Sequence, residues 1–154
     1  MRIRPARPDE AELLTGIALR AKAYWGYDEA FMAACRAELT LDAAAVERAS
    51  TVVAEDGDGR LLGFAALAGT APNGELEMLF VEPDRIGRGI GRALFAHVRD
   101  LARVRGLRRL TIDADPNAEA FYLAMGAARI GSTPSTALPG RELPRLEVLL
   151  DRAP

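Results

Sequence analysis

The sequence predicts an α/β fold of the α+β type, a mixed and mainly antiparallel sheet with helices on both faces. Three observations support this prediction. The apolar residues change from helical to strand-like spacing near residue 50. The segment 75–114 is strand–helix–strand, which requires a central parallel pair with a right-handed crossover. The neighbouring strands are joined by short turns, which makes their pairs antiparallel.

The first 50 residues predict a short strand followed by helices. Residues 2–6 form the strand, and Pro8-Asp9-Glu10 begins a helix with apolar residues at helical spacing. These apolar residues are Leu13, Leu14, Ile17 and Ala21. Asp28 caps a second helix, and a third helical segment covers 42–49. The apolar side of the second helix carries Phe31, Met32, Cys35 and Leu39.

The remaining residues alternate between strands and helices. Strands are predicted over 51–54, 61–68, 75–81 and 110–114, with a closing antiparallel pair over 127–131 and 145–150. An amphipathic helix covers 89–105, and a shorter helix covers 118–125. Ligands of open sheets lie beyond the carboxyl ends of parallel strands, so a site is expected near Val81 and Ala114.

Composition narrows the function classes. The 154 residues fit one domain, 1–154, which is large enough to fold without disulfides or a metal ion. The net charge of −2 disfavours a nucleic-acid partner. No apolar run approaches the roughly 20 residues that cross a bilayer, so no membrane partner is expected. A single cysteine and an N-terminus without a signal-peptide core predict a reducing, cytoplasmic location.

The strongest chemical signal is a glycine turn between the strand at 75–81 and the long helix. Residues 85–92 are Arg-Ile-Gly-Arg-Gly-Ile-Gly-Arg. Glycine lets the backbone turn sharply and come close to a ligand. The unpaired N–H groups of a helix's first turn carry partial positive charge, to which Arg88 and Arg92 add full charges. The turn therefore suits a pyrophosphate group.

Three other interpretations of this turn are a P-loop, a Rossmann fingerprint and a purely structural turn. A P-loop ends in Gly-Lys-Ser/Thr, which is absent. A Rossmann fingerprint needs glycine where the chain has Arg92, which disfavours a NAD-type oxidoreductase, although Asp113 lies at a tolerable distance. Three glycines with two arginines exceed what a structural turn requires.

The segment Glu-Met-Leu-Phe-Val-Glu-Pro-Asp at 77–84, followed by Gly-Arg-Gly-Ile-Gly, resembles the central motif of the GNAT superfamily of N-acetyltransferases. That motif is Gln/Arg-x-x-Gly-x-Gly/Ala. Gly89 and Gly91 fill its two small positions, whereas Ile86 replaces the Gln or Arg. The resemblance implies a GNAT-like sheet whose central parallel strands splay to bind CoA, with acetyl-CoA as the cosubstrate.

The resemblance also implies which residues hold acetyl-CoA. In the turn they are Ile86, Gly87, Arg88, Gly89, Ile90, Gly91 and Arg92. The backbone of Leu79, Phe80 and Val81 would pair with the pantetheine arm like an added strand. Residues 115–127 resemble the family's downstream motif, so that Asn117 would contact the cofactor arm and Tyr122 would lie near the thioester sulfur. Taken alone, Tyr122 is more simply a core aromatic.

The reaction needs a group that removes a proton from the amine, because an amine with a pKa of about 10 is protonated at neutral pH. Glu77 is the candidate base, directly or through water. Glu75 and Glu77 are expected on one face of their strand, with Leu76 and Met78 on the other. The alternative is that both are solvated carboxylates. Tyr122 is the candidate proton donor to the departing thiol, and a backbone N–H within 79–81 is the candidate donor to the oxyanion.

Two other reactive residue types receive structural interpretations. Cys35 lies at helical spacing with apolar residues, so a small buried hydrophobe is expected rather than an acyl-carrying nucleophile. His97 is the only histidine and lies on the flank of an apolar helix face, where a core or edge residue is expected. A lone histidine argues against a catalytic triad, and no metal site is predicted.

The acceptor pocket is expected in two loops, 22–28 and 132–144. Tyr24, Trp25 and Tyr27 lie in the first loop, where they either contact an amine or pack the first helix onto the sheet. Arg141 lies in the second loop. The predicted activity is acetyl transfer to a small-molecule or peptide amine by direct attack in a ternary complex, and a homodimer is one expected assembly. The competing function is a non-catalytic acyl-CoA-binding sensor, against which the presence of Tyr122 and Glu77 argues.

Overall fold

The computed structural model describes residues 1–151, in which strands and helices follow the predicted order. The strands are β1 Arg2–Pro5, β2 Ser50–Glu55, β3 Leu61–Thr70, β4 Asn73–Val81, β5 Arg109–Asp113, β6 Ala128–Pro134 and β7 Glu142–Leu149. The helices are α1 Ala11–Ala23, α2 Glu29–Leu39, α3 Ala43–Arg48, α4 Ile90–Val104 and α5 Glu119–Ala124. Within residues 1–151, none of these helices combines the length and the hydrophobicity that a bilayer crossing requires.

The seven strands form one sheet in the order β1-β2-β3-β4-β5-β7-β6. Within it only β4 and β5 pair in parallel, as their strand–helix–strand connection predicts. Their pairing covers only Asn73–Glu75 of β4 and Arg109–Thr111 of β5. Both strands continue past this point without pairing to each other, so the sheet splays open toward Val81. The predicted fold class, with its splayed central pair, is confirmed.

The helices cover both faces of the sheet and create two hydrophobic cores. On one face, α4 and α5 pack over the sheet, with Leu94 and Val98 fully buried. On the other face, α1, α2 and α3 cover β2 and β3, with Leu14 and Phe64 fully buried. Burial of each such side chain contributes about 1.5–3 kcal/mol. The glycine turn therefore belongs to the α4 side, and the first two helices belong to the opposite side.

The start of the chain is tied down by an ion-pair cluster that the sequence pattern does not indicate. The Glu10 carboxylate accepts two hydrogen bonds from Arg4 in β1, at 2.9 and 2.8 Å, and one from the Arg7 backbone N–H. The Arg4 guanidinium also donates to Glu55 at the end of β2. The bidentate hydrogen bond from Arg4, acting against burial, lowers the pKa of Glu10 to about 2. These contacts anchor the edge strand to α1.

Most predicted boundaries differ from the observed ones by a few residues. The Asp28 cap is confirmed, because its carboxylate accepts the Phe31 N–H at 2.8 Å. The closing strand pair is longer toward the hairpin loop than predicted, since β6 extends to Pro134 and β7 begins at Glu142. This loop is therefore short, which brings Arg141 to the very start of β7.

One prediction about β4 is wrong, namely that Leu76 and Met78 share a face. The β3–β4 register pairs Met78 with Ala66 and Leu76 with Leu67, so Glu77 is the extra residue of a β-bulge. Leu76 consequently packs into the α4 core, whereas Met78 packs against the α1–α2 core. A bulge inserts one residue into a pattern of period two, so the strand changes phase at Glu77.

Candidate active site

The glycine turn forms an open cradle at the N-terminus of α4. Gly87 and Gly89 have φ angles of +82° and +80°, in the left-handed region that favours glycine. A Cβ at either position would meet nothing within 4 Å, so the space in front of the turn is free. Within residues 1–151, no hydrogen-bond acceptor engages the backbone N–H groups of residues 87–92. These N–H groups are available to an anion.

The charges around the cradle leave it electropositive. Glu82 is bound by Arg20 at 2.8 Å and by Arg60 at 3.4 Å, and Arg60 also holds Asp84 at 3.0 Å. Arg88 and Arg92, in contrast, form no ion pair with any residue of the described chain. Glu82 and Asp84 beside the turn are therefore neutralised by arginines that lie outside it, while Arg88 and Arg92 at the start of α4 remain free for a ligand.

The third glycine of the turn has a different role. Gly91 lies inside the first turn of α4, and a Cβ there would lie 3.4 Å from the Phe121 ring, at the limit of ordinary contact. The Val81 side chain would be 3.7 Å away. Gly91 thus lets α4 approach both α5 and the end of β4 closely, and this joins the two motifs. Ile86, where the family pattern has Gln or Arg, is 48% exposed.

Tyr122 lies in the core but has a free hydroxyl. Its residue exposure is 6%, and its ring packs against Phe95 and Phe121, with centroids 5.9 and 5.1 Å away. Within residues 1–151 the hydroxyl has no hydrogen-bond partner, yet it is not sealed from solvent. Burial raises the pKa of the phenol, which keeps it protonated. The residue combines a packed ring with an available proton donor.

The two candidate carboxylates on β4 face the side of the sheet that carries α1. Within the described chain, Glu75 and Glu77 form no ion pair, although the Asp113–Arg145 ion pair lies close by. Asp113 accepts a hydrogen bond from Arg145 at 2.8 Å and another from Thr133. Partial desolvation, followed by the charges of Asp113 and Glu77, raises the pKa of Glu75 although its side chain stays exposed. The carboxylates of this face are in excess over its cations.

Beyond the carboxyl end of β5 lies a polar group of residues, the Asp115 cluster, that sequence reasoning recognised only in part. Its members are Lys22, Tyr27, Asp115, Asn117 and Arg141. Asp115 accepts hydrogen bonds from Lys22 at 2.6 Å and from the Tyr27 hydroxyl at 2.9 Å. Burial disfavours ionisation of Asp115, but the Lys22 ammonium and the Asn117 N–H outweigh it and lower the pKa of the carboxyl.

Asn117 is engaged inside this cluster. Its amide donates to the Tyr27 hydroxyl and to Asp115, each at 2.9 Å. Arg141 also donates to the Tyr27 hydroxyl at 2.9 Å, so this oxygen uses its full capacity of one donated and two accepted bonds. The structure thus brings three predicted residues together. Lys22 and Asp115 were missed, because their contact spans 93 positions and leaves no local pattern.

The other two aromatic residues of the first loop lie apart from the cluster. Tyr24 and Trp25 are 53% and 45% exposed, and their rings contact each other edge to face at 5.4 Å. Trp25 does not pack α1 onto the sheet, which was one of the two interpretations from sequence. Tyr27, by contrast, is packed within this region, since its ring stacks on Phe31 of α2 at 3.8 Å.

Cysteine and histidine have the structural roles expected of them. Cys35 is buried in the α1–α2 core, and burial raises the pKa of its thiol, which disfavours the nucleophilic thiolate. His97 is half-buried on α4. Within residues 1–151, no three His, Cys, Asp or Glu side chains come together as metal ligands.

A groove of about 440 Å³ lies on the outer side of α1 and α2, away from the sheet opening. Its lining residues are Leu19, Arg20, Ala23, Glu29, Met32, Ala33 and Arg36. It contains none of the candidate residues. The glycine cradle and the splayed end of the sheet carry unengaged backbone N–H groups and free arginines, and are therefore the better candidate site.

Comparison with known proteins agrees with this geometry. The family model for "Acetyltransferase (GNAT) family" matches residues 18–127. Similar curated proteins are a mycothiol acetyltransferase of Clavibacter michiganensis subsp. michiganensis, 44% identical over 50% of this chain and 26% of that protein, and a streptothricin acetyltransferase of Streptomyces lavendulae, 43% identical over 53% of this chain and 46% of that protein. The chain thus spans less than half the length of these relatives.

A solved structure extends the similarity to nearly the whole chain. The GCN5-related N-acetyltransferase from Rhodopseudomonas palustris is 26% identical and superposes with a TM-score of 0.79, covering 97% of this chain and 95% of that one. The glycine turn, the downstream Asn117–Gly126 segment and the splayed strands all fall within or beside the matched residues. On these grounds the chain belongs to the acetyltransferase (GNAT) family.

Proposed function

We propose that this protein transfers an acetyl group from acetyl-CoA to a primary amine by direct attack of the amine in a ternary complex. The observation that carries the proposal is the open cradle at residues 87–92, with its free N–H groups and its unpaired Arg88 and Arg92. Family membership and the acetyltransferase relatives support it.

The residues present fit acetyl-CoA. The N–H groups of residues 87–92 would bind the pyrophosphate, since a Cβ built at Gly87 or Gly89 meets only free space. The backbone of residues 79–81, on the part of β4 that has no parallel neighbour, would bind the pantetheine arm. When bound, acetyl-CoA supplies an acyl thioester with a thiol leaving group.

The residues on β4 and α5 would handle the protons. Glu75 and Glu77 form an uncompensated negative region, which favours a cationic ammonium at the α1 side of the sheet. Glu77 would accept the ammonium proton at its carboxylate, directly or through water. Tyr122 would donate its phenol proton to the departing sulfur, because its hydroxyl is protonated and has no partner within residues 1–151.

Two measurements test the proposal. The melting temperature is compared with and without acetyl-CoA, with NAD as the control ligand, because a ligand that binds only the folded state raises stability by mass action. Thiol release from acetyl-CoA is then followed across a panel of primary amines. We expect stabilisation by acetyl-CoA alone and thiol release with at least one amine.

The outcomes separate the competing functions. Stabilisation by NAD, or equal stabilisation by both ligands, would contradict the CoA assignment. Stabilisation by acetyl-CoA without thiol release from any amine would instead support a non-catalytic acyl-CoA sensor.

A further inference from the structure

The Asp115 cluster contains more positive than negative charge. Lys22 and Arg141 are its cations and Asp115 is its carboxylate, and all three side chains are at most 20% exposed. Lys22 is committed to Asp115 at 2.6 Å, whereas the nearest approach of Arg141 to this carboxylate is 3.7 Å. Asp115 is therefore neutralised chiefly by Lys22, and the charge of Arg141 remains in excess.

Arg141 has hydrogen-bond capacity that the protein does not use. Of its five N–H donors, the described chain engages only one Nη2 donor, at the Tyr27 hydroxyl. A cation–π contact also holds the guanidinium in place, because it lies over the Phe31 ring, 4.7 Å from the ring centroid. Within residues 1–151, no buried side-chain nitrogen or oxygen lacks a hydrogen-bond partner, so the remaining N–H donors of Arg141 are accessible to solvent. A fixed planar fork with free donors matches a carboxylate.

The topology places this fork beside the proposed acceptor site. The cluster joins the end of α1, the turn after β5 and the start of β7, and thus lies at the carboxyl end of β5 where the sheet splays. Asp113, two positions before Asp115, contributes to the field at Glu75. Arg141 and the two β4 carboxylates, Glu75 and Glu77, therefore lie on the same face of the sheet.

We propose that Arg141 binds a carboxylate of the acceptor, so that the substrate is an amine that also carries a carboxylate group. Such a molecule has its ammonium near Glu75 and Glu77 and its carboxylate at the Asp115 cluster. The inference rests on the proposed function, and it names the class of acceptor.

The test measures binding, so that it does not depend on turnover. The protein is saturated with CoA and titrated calorimetrically with N-acetylglycine, acetamidobutyrate and acetamidohexanoate, and with the primary amide of each. These acetylated molecules are the products expected from amino acids of increasing length. The variants are Arg141→Gln, Arg141→Lys and the control Arg129→Gln, which removes an exposed arginine of the same hairpin that pairs with Glu119. Thiol release with the free amino acids is measured beside each titration.

We expect at least one carboxylate to bind the wild type about tenfold or more tightly than its amide, as for hydrogen bonds to a charged group. Arg141→Gln should reduce this ratio to below about twofold, Arg141→Lys should retain part of it, and Arg129→Gln should retain all of it. A structural role of Arg141 would weaken carboxylate and amide alike and leave the ratio unchanged, which would overturn the proposal.

The remaining outcomes separate this inference from the proposed function. No preference for any carboxylate in the wild type would overturn the carboxylate subsite, even if amines are acetylated. A clear carboxylate preference without thiol release from any amine would support the subsite and contradict the proposed transferase activity.

Discussion

Replacement of Gly89 by valine separates the conformational role of the glycine turn from its binding role. Gly89 is the N-cap of α4 and has a φ of +80° with open space in front of it. A valine there suffers backbone strain and also projects a branched side chain into the space where a pyrophosphate would approach. We expect CoA binding to be strongly weakened while the domain remains folded.

The two effects have different magnitudes. The left-handed region costs an L-residue about 1–2 kcal/mol, and a β-branched residue at least that much. In a chain of this length about 1 kcal/mol corresponds to about 2–4 °C, so melting should fall by about 2–8 °C. Each N–H that no longer reaches the pyrophosphate removes a charged hydrogen bond of about 1.5–3 kcal/mol, so the Kd for CoA should rise about ten- to hundredfold.

Gly106→Val is the matched control, because it carries the same strain at the opposite end of the same helix. Gly106 follows α4, has a φ of +79°, and its nearest neighbour would be the Ala71 Cβ at 3.8 Å. The 15 residues of α4 separate the two sites by about 22 Å. Circular dichroism melting should show similar losses of stability in both variants, and calorimetric titration with CoA should show weakened binding only in Gly89→Val.

Two results would refute this reasoning. If Gly89→Val binds CoA with the wild-type Kd, the turn is a structural turn and not a phosphate cradle. If Gly106→Val weakens CoA binding as much as Gly89→Val, the loss reflects destabilisation of α4 rather than obstruction.

Three further predictions follow from the site and from the N-terminal ion pair. Tyr122→Phe deletes only the unpaired hydroxyl, so thiol release should slow about tenfold to a thousandfold while the Kd for acetyl-CoA changes less than about tenfold. If the variant releases thiol at the wild-type rate when the chemical step is rate-limiting, Tyr122 is a packing residue. Glu77→Gln should lower the rate by about 10²–10⁴, most at low pH, with CoA affinity retained, and a larger loss in Glu75→Gln would transfer the base role to Glu75. Arg4 lowers the pKa of Glu10 to about 2, so Glu10 stabilises the fold fully above its ordinary pKa of 4.5 and loses this effect as the pH falls toward 2. The urea midpoint of Glu10→Gln should therefore lie below that of the wild type at neutral pH and converge with it in acid. A difference between the two midpoints that does not depend on pH would contradict the ion-pair origin.

The order of elements was predictable because each depends on neighbouring residues. The helical spacing at 89–105, the Asp28 cap and the glycine-rich turn are local signals, and the strand–helix–strand order alone dictates the parallel pair. The open glycine turn at the start of α4 was likewise predictable, because backbone freedom and helix polarity follow from the residue types, and its role as an anion site stays a prediction.

What escaped prediction depends on contacts between distant residues. The bulge at Glu77 is invisible to a period-two pattern, since only the partner strand reveals the extra residue. The Arg4–Glu10–Glu55 and Lys22–Asp115 pairs are set by the approach of separate elements. For Trp25 the sequence left two interpretations open, and the structure excludes packing onto the sheet: Trp25 lies at the surface, whereas Tyr27 stacks on the Phe31 ring.

The division of the hydrophobic interior into two cores has a consequence for variation in this protein. The glycine turn depends on the core beneath α4, whereas the Asp115 cluster depends on the core beneath α1 and α2, and the sheet stands between them. Substitutions at sites without shared partners combine almost additively. Repacking of α1 and α2 should therefore reshape the proposed acceptor wall with little effect on the N-terminus of α4, provided that Arg20 of α1 keeps its ion pair with Glu82. On the proposed function, the sheet separates the surface that would bind the acyl donor from the surface that would choose the acceptor, so that the two could be altered largely independently.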